Sequence, residues 1–257
     1  MNLTLKQTDE QKSIFEINDA SVAYVNTLRR LCMKHVPTMA IDTIEVHQND
    51  SGLFDEILAH RLGLIALNTE PGTFNMAEPD AEKSAATHAE FALDVQGPLT
   101  VRAEHLEPEN ETVAPVHEDS VIVELLEDQS ISLIATARLG TGDEHSKYDP
   151  CLASYYYKPN ITVDNSVDNL NDKLDELPPQ IVEDGEIQKD LINTPELIDA
   201  CEDVNDAVTI EYDDNTTDFI FTIEPWGQLT SEQIISEALR VYNDQLDEFN
   251  NLLEEQP

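Results

Sequence analysis

A segment near the N-terminus constrains the fold of this chain most, because its patterns specify a helix, a strand and a second helix in that order. Apolar and small residues recur at three- and four-residue spacing and so line one helix face; they are Ala20, Ala23, Tyr24, Thr27, Leu28, Leu31 and Cys32. We expect Asn18 or Asp19 to cap this helix and Pro37 to end it. A half-buried strand is predicted over Met39–His47 and the second helix over Leu53–Leu62.

Other short elements can be predicted from local patterns. Two alternating stretches, Leu3–Gln7 and Ser13–Ile17, flank a polar turn at Thr8–Gln11 and predict a hairpin. Residues 90–157 contain several short apolar stretches bounded by Gly, Pro, Asn and Asp, which is typical of a β-rich region. A short helix is expected over Pro195–Cys201.

The C-terminal region combines a strand with a long helix. The strand is predicted over Phe219–Ile223, and Gly227 then breaks the chain. Thr230 or Ser231 is expected to cap a helix that runs to about Leu253. One broad stripe of this helix is apolar; it comprises Ile234, Ile235, Ala238, Leu239, Tyr242, Leu246, Phe249 and Leu253.

The composition is extremely acidic, with 53 acidic residues against 14 basic ones and a formal net charge of −39. Such a surface repels itself, whereas molar salt shortens the Debye length to about 3 Å and screens the repulsion. We therefore expect a salt-accumulating, halophilic cell. An acidic disordered protein is the alternative, but the periodic apolar residues favour a folded chain.

The same charge disfavours direct contact with nucleic acid, since a phosphate backbone is bound by clustered Lys and Arg. The chain's 257 residues are enough for two or three domains. No apolar run approaches the roughly 20 residues that cross a bilayer, and the start MNLTLKQTDE lacks the features of a signal peptide. A cytoplasmic protein without membrane contact is predicted.

Several sequence blocks carry a resemblance to a known family. They are NTLRR at 26–30, VPTMAID at 36–42, DEILAHRLGLI at 55–65, ARLGTGDEHSKYDP at 137–150 and FIFTIEPWGQLTSEQIISEAL at 219–239. Together they resemble the alpha-like assembly subunits of multisubunit RNA polymerases, most of all the archaeal D-type subunits, which are counterparts of the eukaryotic third-largest subunit. The resemblance covers the chain except for 68–90 and 161–205.

This resemblance implies an α+β fold in three parts. Residues 1–47 and 215–257 would form a discontinuous, alpha-like dimerisation domain of a sheet plus helices. A β-rich domain would be inserted over 48–160. Residues 161–214 are expected to be a small, degenerate ferredoxin-like segment.

The implied function is that of a non-catalytic assembly subunit. It would form a heterodimer with a small alpha-like subunit of the L type, through helices near 20–35 and 231–253. The two large catalytic subunits, and other small polymerase subunits, would dock on it. DNA-directed RNA synthesis, the nucleotidyl transfer of transcription, would belong to the complex and not to this chain.

The cofactors of some relatives are predicted to be absent. A cubane iron–sulfur cluster needs four thiolates, but the chain has only Cys32, Cys151 and Cys201. Cys201 would then be a relic of one ligand. Residues 68–90, where some relatives place a zinc loop, contain no cysteine. We expect reduced thiols, no metal and no cofactor.

Candidate partner-binding residues come from the same blocks. On the first helix they include Leu28 and Leu31, which are either ordinary core or part of an interface continuous with it. Arg29 and Arg30, on the same helix, are expected to pair with carboxylates. The other candidates lie on the second helix, in a glycine-containing loop and on the last helix: Asp55, Glu56, His60 and Arg61; Arg138, Gly140, Gly142, His145 and Lys147; and Ile235, Leu239 and Tyr242. No residue is predicted to be catalytic.

Other chemistries have less support. The glycine-containing loop lacks the Gly-Lys-Ser/Thr ending of a phosphate-binding loop. A calcium loop is imitated without its required glycine by Asp213, Asn215, Thr217 and Glu224. Hydrolase signatures are missing. The open alternative is a stand-alone acidic metal- or ligand-binding protein built on the same core.

Overall fold

The structure, a computed structural model, describes residues 1–9, 11–77, 83–109, 112–213 and 216–254. Its helices are α1 Val22–Lys34, α2 Asp55–Gly63, α3 Leu170–Leu174, α4 Pro195–Cys201 and α5 Ser231–Glu254. Its strands are β1 Asn2–Thr8, β2 Ser13–Asn18, β3 Thr38–Asn49, β4 His88–Gln96, β5 Leu99–Arg102, β6 Glu107–Pro108, β7 Val121–Leu125, β8 Ser130–Gly140, β9 Cys151–Tyr157, β10 Asn160–Val163, β11 Val182–Glu183, β12 Glu186–Ile187, β13 Val208–Glu211 and β14 Phe219–Pro225. The mixture of helix and sheet agrees with the predicted fold class.

The chain divides into two compact units. The first unit comprises Met1–Asn26 and Ser154–Ile223, and the second comprises Thr27–Ala153 and Glu224–Pro257. The three-part division expected from the sequence, with boundaries at 47, 160 and 214, stays a prediction.

The first unit contains a four-stranded sheet in the order β1-β2-β14-β9. β1 and β2 pair antiparallel, from Asn2 opposite Asn18 to Thr8 opposite Ser13, which confirms the predicted hairpin. Further along the chain, β10 and β13 pair antiparallel and bring both ends of segment 160–211 together. This segment encloses its own apolar cluster of buried residues, among them Leu177, Ile181, Ile187, Ile198, Cys201 and Val208.

The second unit is built on an antiparallel sheet in the order β3-β8-β4-β6 and on the pair β5-β7. One continuous apolar core joins these strands to α2, whose Leu58 and Leu62 are fully buried. The apolar stretches predicted over residues 90–157 therefore do form strands. β3 begins at Thr38, directly after the proline expected to end the first helix, and pairs with β8 along its length.

The predicted cap of the first helix is wrong. β2 continues through Asn18, and Asp19 takes a left-handed backbone conformation with φ of 55°. The hydroxyl of Ser21 accepts a hydrogen bond from the Tyr24 amide (3.2 Å), as a helix cap does. α1 therefore begins at Val22, later than either predicted cap would allow.

The predicted cap of the last helix is confirmed. At the start of α5, the Gln233 amide donates to the Thr230 hydroxyl (3.2 Å), and the Thr230 amide donates to the Gln233 side chain (2.9 Å). This reciprocal capping box satisfies two amides that the helix itself leaves unpaired. α4 spans the predicted Pro195–Cys201, with Thr194 as its cap.

Candidate functional site

The glycine-containing loop, Arg138–Pro150, is held by the carboxylate of Asp42 on β3. Asp42 accepts hydrogen bonds from Arg138 Nε (3.0 Å), Lys147 Nζ (2.8 Å) and the Tyr148 hydroxyl (3.2 Å). The Tyr148 ring is buried, with the Arg138 guanidinium 5.4 Å and the Lys147 ammonium 5.0 Å from its centre. We call these four residues the Asp42 cluster. It closes the loop onto the strand through charge-assisted hydrogen bonds.

Burial and hydrogen bonding shift the pKa of Asp42 in opposite directions. Burial alone would raise the pKa of Asp42, but hydrogen bonds from Lys147 and Arg138 outweigh it and lower that pKa to about 2. Burial also raises the pKa of the Tyr148 hydroxyl, and the neighbouring carboxylate of Asp42 adds to the effect. At neutral pH the carboxyl group of Asp42 is therefore ionised, and the phenol of Tyr148 keeps its proton.

Two glycines are required where the loop packs against its surroundings. A Cβ atom at Gly140 would lie 2.5 Å from the Tyr148 ring, and one at Gly142 would lie 2.6 Å from the Met33 carbonyl oxygen at the end of α1. Beside Gly142, the Lys34 ammonium binds both carboxylate oxygens of Asp149, at 3.0 and 2.8 Å. The two glycines therefore let the backbone of the loop approach Tyr148 and Met33 closely. Phosphate binding is not needed to explain why glycine stands at these positions.

The loop exposes only part of what the sequence nominated. The side chains of Arg138 and Lys147 are used within the chain, and Glu144 also pairs with Arg138 (3.0 Å). His145 is exposed, but its Nδ1 accepts from the Lys147 amide (3.0 Å) and caps a short 3-10 turn. The residues available to a partner are 143–146, at the tip.

The candidates on α1 are two buried leucines and two arginines. Leu28 and Leu31 are each 4% exposed and belong to the chain's own interior. Arg29 donates to the sulfur of Met33 (3.4 Å). Arg30 is exposed and forms no ion pair with any residue that the structure describes.

On α2, the polar candidates Asp55, Glu56, His60 and Arg61 all lie on the exposed side. Asp55 accepts a hydrogen bond from Asn49 (2.7 Å), and the Arg61 guanidinium donates to the Ile122 carbonyl (2.7 Å). Arg61 thus fastens α2 to β7.

The candidates on α5 lie where this helix leaves the interior. Ile235 is buried, whereas Leu239 and Tyr242 are half-buried. Beyond Tyr242 every described residue is exposed. Four apolar residues in this C-terminal half have 42–57% of their surface exposed; we call Leu246, Phe249, Leu252 and Leu253 the α5 stripe.

Comparison with known proteins identifies the family. A family described as "RNA polymerase Rpb3/RpoA insert domain" matches residues 40–164. The DNA-directed RNA polymerase subunit Rpo3 of Thermococcus kodakarensis is 33% identical over 244 residues, which is 93% of this chain and 92% of that protein. Rpo3 of Methanothermobacter thermautotrophicus is 30% identical over 259 residues, covering 96% of this chain and 97% of that protein. Rpo3 of Natronomonas pharaonis is 30% identical over 250 residues, 96% of each chain.

The chain belongs to the archaeal Rpo3 family. It is thus an alpha-like subunit of DNA-directed RNA polymerase, and the family resemblance seen in the sequence is confirmed. The matched insert domain, 40–164, overlaps the domain expected over 48–160. No helix among the residues described here is long and apolar enough to cross a membrane.

The residues of this Rpo3 chain do not fit an iron–sulfur cluster. Four thiolates are needed, and the three cysteines are all buried. Cys201 lies in the apolar cluster of segment 160–211, while Cys32 and Cys151 belong to the second unit. Burial raises the pKa of all three thiols. In the described part of the chain, no group of three His, Cys, Asp or Glu side chains is arranged to hold a metal; the Asn215 of the imitation calcium loop lies outside the described residues.

Sequence reasoning missed the residues that build this site of the Rpo3 chain. Asp42, Tyr148, Asp149 and Lys34 carry its strongest contacts, yet none was a candidate. A signal did exist, since Asp42 lies in the VPTMAID block and Tyr148 and Asp149 in the ARLGTGDEHSKYDP block. The roles of the nominated partner-binding residues stay predictions.

Proposed function

We propose that this chain is a non-catalytic assembly subunit of RNA polymerase that forms a heterodimer with a small alpha-like subunit of the L type. The observation that carries the proposal is the exposed α5 stripe. An amphipathic helix of a monomer buries its apolar face, but here the C-terminal half of a 24-residue helix leaves that face in solvent. Family membership supports a polymerase subunit as the occupant.

The two large subunits, and other small ones, would then dock on the second unit. The exposed loop tip at 143–146 and the exposed side of α2 support this step. RNA synthesis would reside in the whole complex. The net charge of −39 supports little direct contact with nucleic acid and a cytoplasm of high salt content.

The three buried cysteines, none of them within residues 68–90, support a subunit without an iron–sulfur cluster or zinc. The alternative, a stand-alone acidic protein that binds a metal or another ligand, is not favoured because the relatives over the full chain are polymerase subunits. Calcium-dependent stabilisation at fixed ionic strength would favour that alternative.

Size exclusion with light scattering tests the heterodimer. The chain and the small alpha-like subunit, mixed in molar KCl, should elute with the mass of a one-to-one complex. The double variant Phe249→Ser/Leu253→Ser should weaken binding at least ten-fold, because both exposed side chains lie on the α5 stripe. Asn250→Ser/Asn251→Ser, on the same two helical turns, should bind normally. Two separate folded monomers of wild type would contradict the proposal.

A further inference from the structure

A cavity of about 690 Å³ lies in the second unit, beside the start of β4. Its polar and charged lining consists of Lys83, Ser84, His88, Glu90 and Glu109. Small-molecule sites in proteins typically have volumes of about 300–1,000 Å³, so the cavity is large enough for one. It includes no residue of α2, of α5 or of the Asp42 cluster, and it is therefore separate from the surfaces described above.

The acidic side of the cavity is a pair of glutamates on neighbouring stretches of backbone. β4 pairs antiparallel with β6, with Phe91 opposite Pro108, and the Glu109 amide continues the pairing by donating to the Glu90 carbonyl (2.9 Å). Side chains placed opposite each other in this way have Cβ atoms about 5 Å apart, where like charges are destabilising. Neither glutamate forms an ion pair with any residue that the structure describes. A cation bound between them would relieve this repulsion.

The basic side of the cavity is Lys83. Its ammonium donates to the hydroxyl of Thr136 (3.1 Å), and Thr136 lies opposite Glu90 in the register of β4 with β8. An ammonium has three donors, so two of them are left for a ligand. Lys83 lines the same cavity as the two glutamates, yet it forms no ion pair within the described part of the chain. Opposite charges thus share one cavity without pairing with each other.

His88 sets the charge balance of the cavity. Its Nδ1 lies 2.8 Å from the Thr87 hydroxyl. Burial, together with the nearby charges of Lys83 and Arg138, lowers the pKa of His88, so the imidazole is neutral at pH 7. Residues with a shifted pKa inside a cavity are typical of binding sites. With His88 neutral, two carboxylates face one ammonium, and the complementary ligand carries two cationic groups and one carboxylate.

We propose that this cavity binds a free dibasic amino acid, the class to which L-lysine belongs. Its two ammonium groups would bind Glu90 and Glu109, and its carboxylate would bind Lys83 and the hydroxyl of Ser84. Such a ligand binds only the folded chain and would therefore stabilise the second unit by mass action. This inference goes beyond the proposed function and does not rest on it, since it gives the chain a small-molecule site of its own.

Titration calorimetry of the whole chain in molar KCl tests the proposal. Wild type should bind L-lysine one to one, and Glu90→Gln/Glu109→Gln should weaken that binding at least ten-fold. The double variant should fold, because it removes a like-charge repulsion. Lys83→Met should lower the affinity for L-lysine to that for cadaverine, which has both amines but no carboxylate. Glu124→Gln/Glu127→Gln, exposed in the same unit but outside the cavity, is the matched control and should bind as wild type does.

Several results would overturn the proposal. One is a folded wild type that does not bind L-lysine, and another is equal affinity of wild type and Glu90→Gln/Glu109→Gln. If wild type binds cadaverine as tightly as L-lysine, Lys83 holds no carboxylate and the amino acid is the wrong ligand. If a lysine-containing peptide with blocked termini binds as tightly, the occupant is a protein side chain instead. The assembly function is measured separately, because the double variant should still bind the small alpha-like subunit normally.

Discussion

In the loop Arg138–Pro150, the cations Arg138 and Lys147 are held by Asp42 of the same chain, whereas the last turns of α5 leave Phe249 and Leu253 in solvent. Both regions were nominated as partner surfaces. The charged side chains of the loop bind within the chain, and only the tip of the loop is exposed. The C-terminal half of α5 is exposed and is not packed into the interior of the described part of this chain.

The contrast between the loop and α5 shows that a distinctive polar motif can serve the structure of its own chain, while an ordinary apolar stripe is left exposed. Ion pairs in the loop fix where its tip lies, and exposed apolar area supplies affinity. Substitutions in the loop should therefore destabilise the free subunit, and substitutions on α5 should not.

Gly142→Ala should be the most damaging change. Its Cβ atom would meet the backbone carbonyl of Met33 at 2.6 Å, and backbone cannot rotate away as a side chain can. We expect a loss of about 3 kcal/mol in the free energy of unfolding, measured with denaturant. Gly52→Ala, with no atom within 4 Å of its Cβ, should stay within about 0.5 kcal/mol of wild type. Equal effects of the two would contradict the packing described for the loop.

Asp42→Asn should cost about 2 kcal/mol, because Arg138 and Lys147 lose the charge that balances them. Denaturant unfolding gives the loss, and hydrogen exchange should show faster opening of the loop. Asp94→Asn, at an exposed position of β4 in the same sheet, is the control and should be near neutral. A stable Asp42→Asn variant with a protected loop would show that the cluster does not shape it.

Acid should weaken the wild-type chain in a defined pH window. The pKa of Asp42 is about 2 in the folded chain, so the unfolded chain, with a pKa of about 4, binds the proton first. The stabilisation is complete above pH 4 and is lost as the pH falls towards 2. Asp42→Asn should flatten this part of the stability profile. A slope should remain, because hydrogen bonds from Lys158, Lys6 and Asn18 outweigh burial and lower the pKa of Glu16 to about 2 as well.

Phe249→Ser/Leu253→Ser should have the smallest effect on the free chain. Both side chains are more than half exposed, so little apolar contact is lost. We expect a change within about 0.5 kcal/mol in thermal or denaturant unfolding. A loss above 2 kcal/mol would mean that the α5 stripe is part of this chain's own core.

The parts of the fold that were predictable depend on local signals. The capping box at Thr230 and Gln233, the proline-initiated helix at Pro195–Cys201 and the first hairpin are each encoded within a few residues. The cap of α1 was misplaced because Asn and Asp, at positions 18 and 19, are as strongly preferred at helix N-caps as the Ser21 that takes this role. The pairing of β2 with β1 extends the strand to Asn18, opposite Asn2, and β14 pairs with β2 as far as Ile17.

The site was less predictable, because its contacts join distant positions. Asp42 meets Arg138 and Lys147 roughly a hundred residues further along the chain, and strand periodicity assigns Asp42 only to a polar position. Phe54 and Ile57 are exposed, although a helical pattern assigns apolar residues to the core. Sequence alone cannot tell which of two apolar faces of α2 is buried.

Hydrogen exchange of the free chain and of its complex with the small alpha-like subunit, both in molar KCl, tests the central claim most directly. Amides of residues 242–254 should exchange fast in the free chain and gain at least ten-fold protection in the complex. Amides of the loop at 138–150 should be protected equally in both, because their hydrogen bonds exist already in the free chain. New protection confined to the loop, with 242–254 unchanged, would contradict the division between a self-satisfied loop and an open α5 stripe.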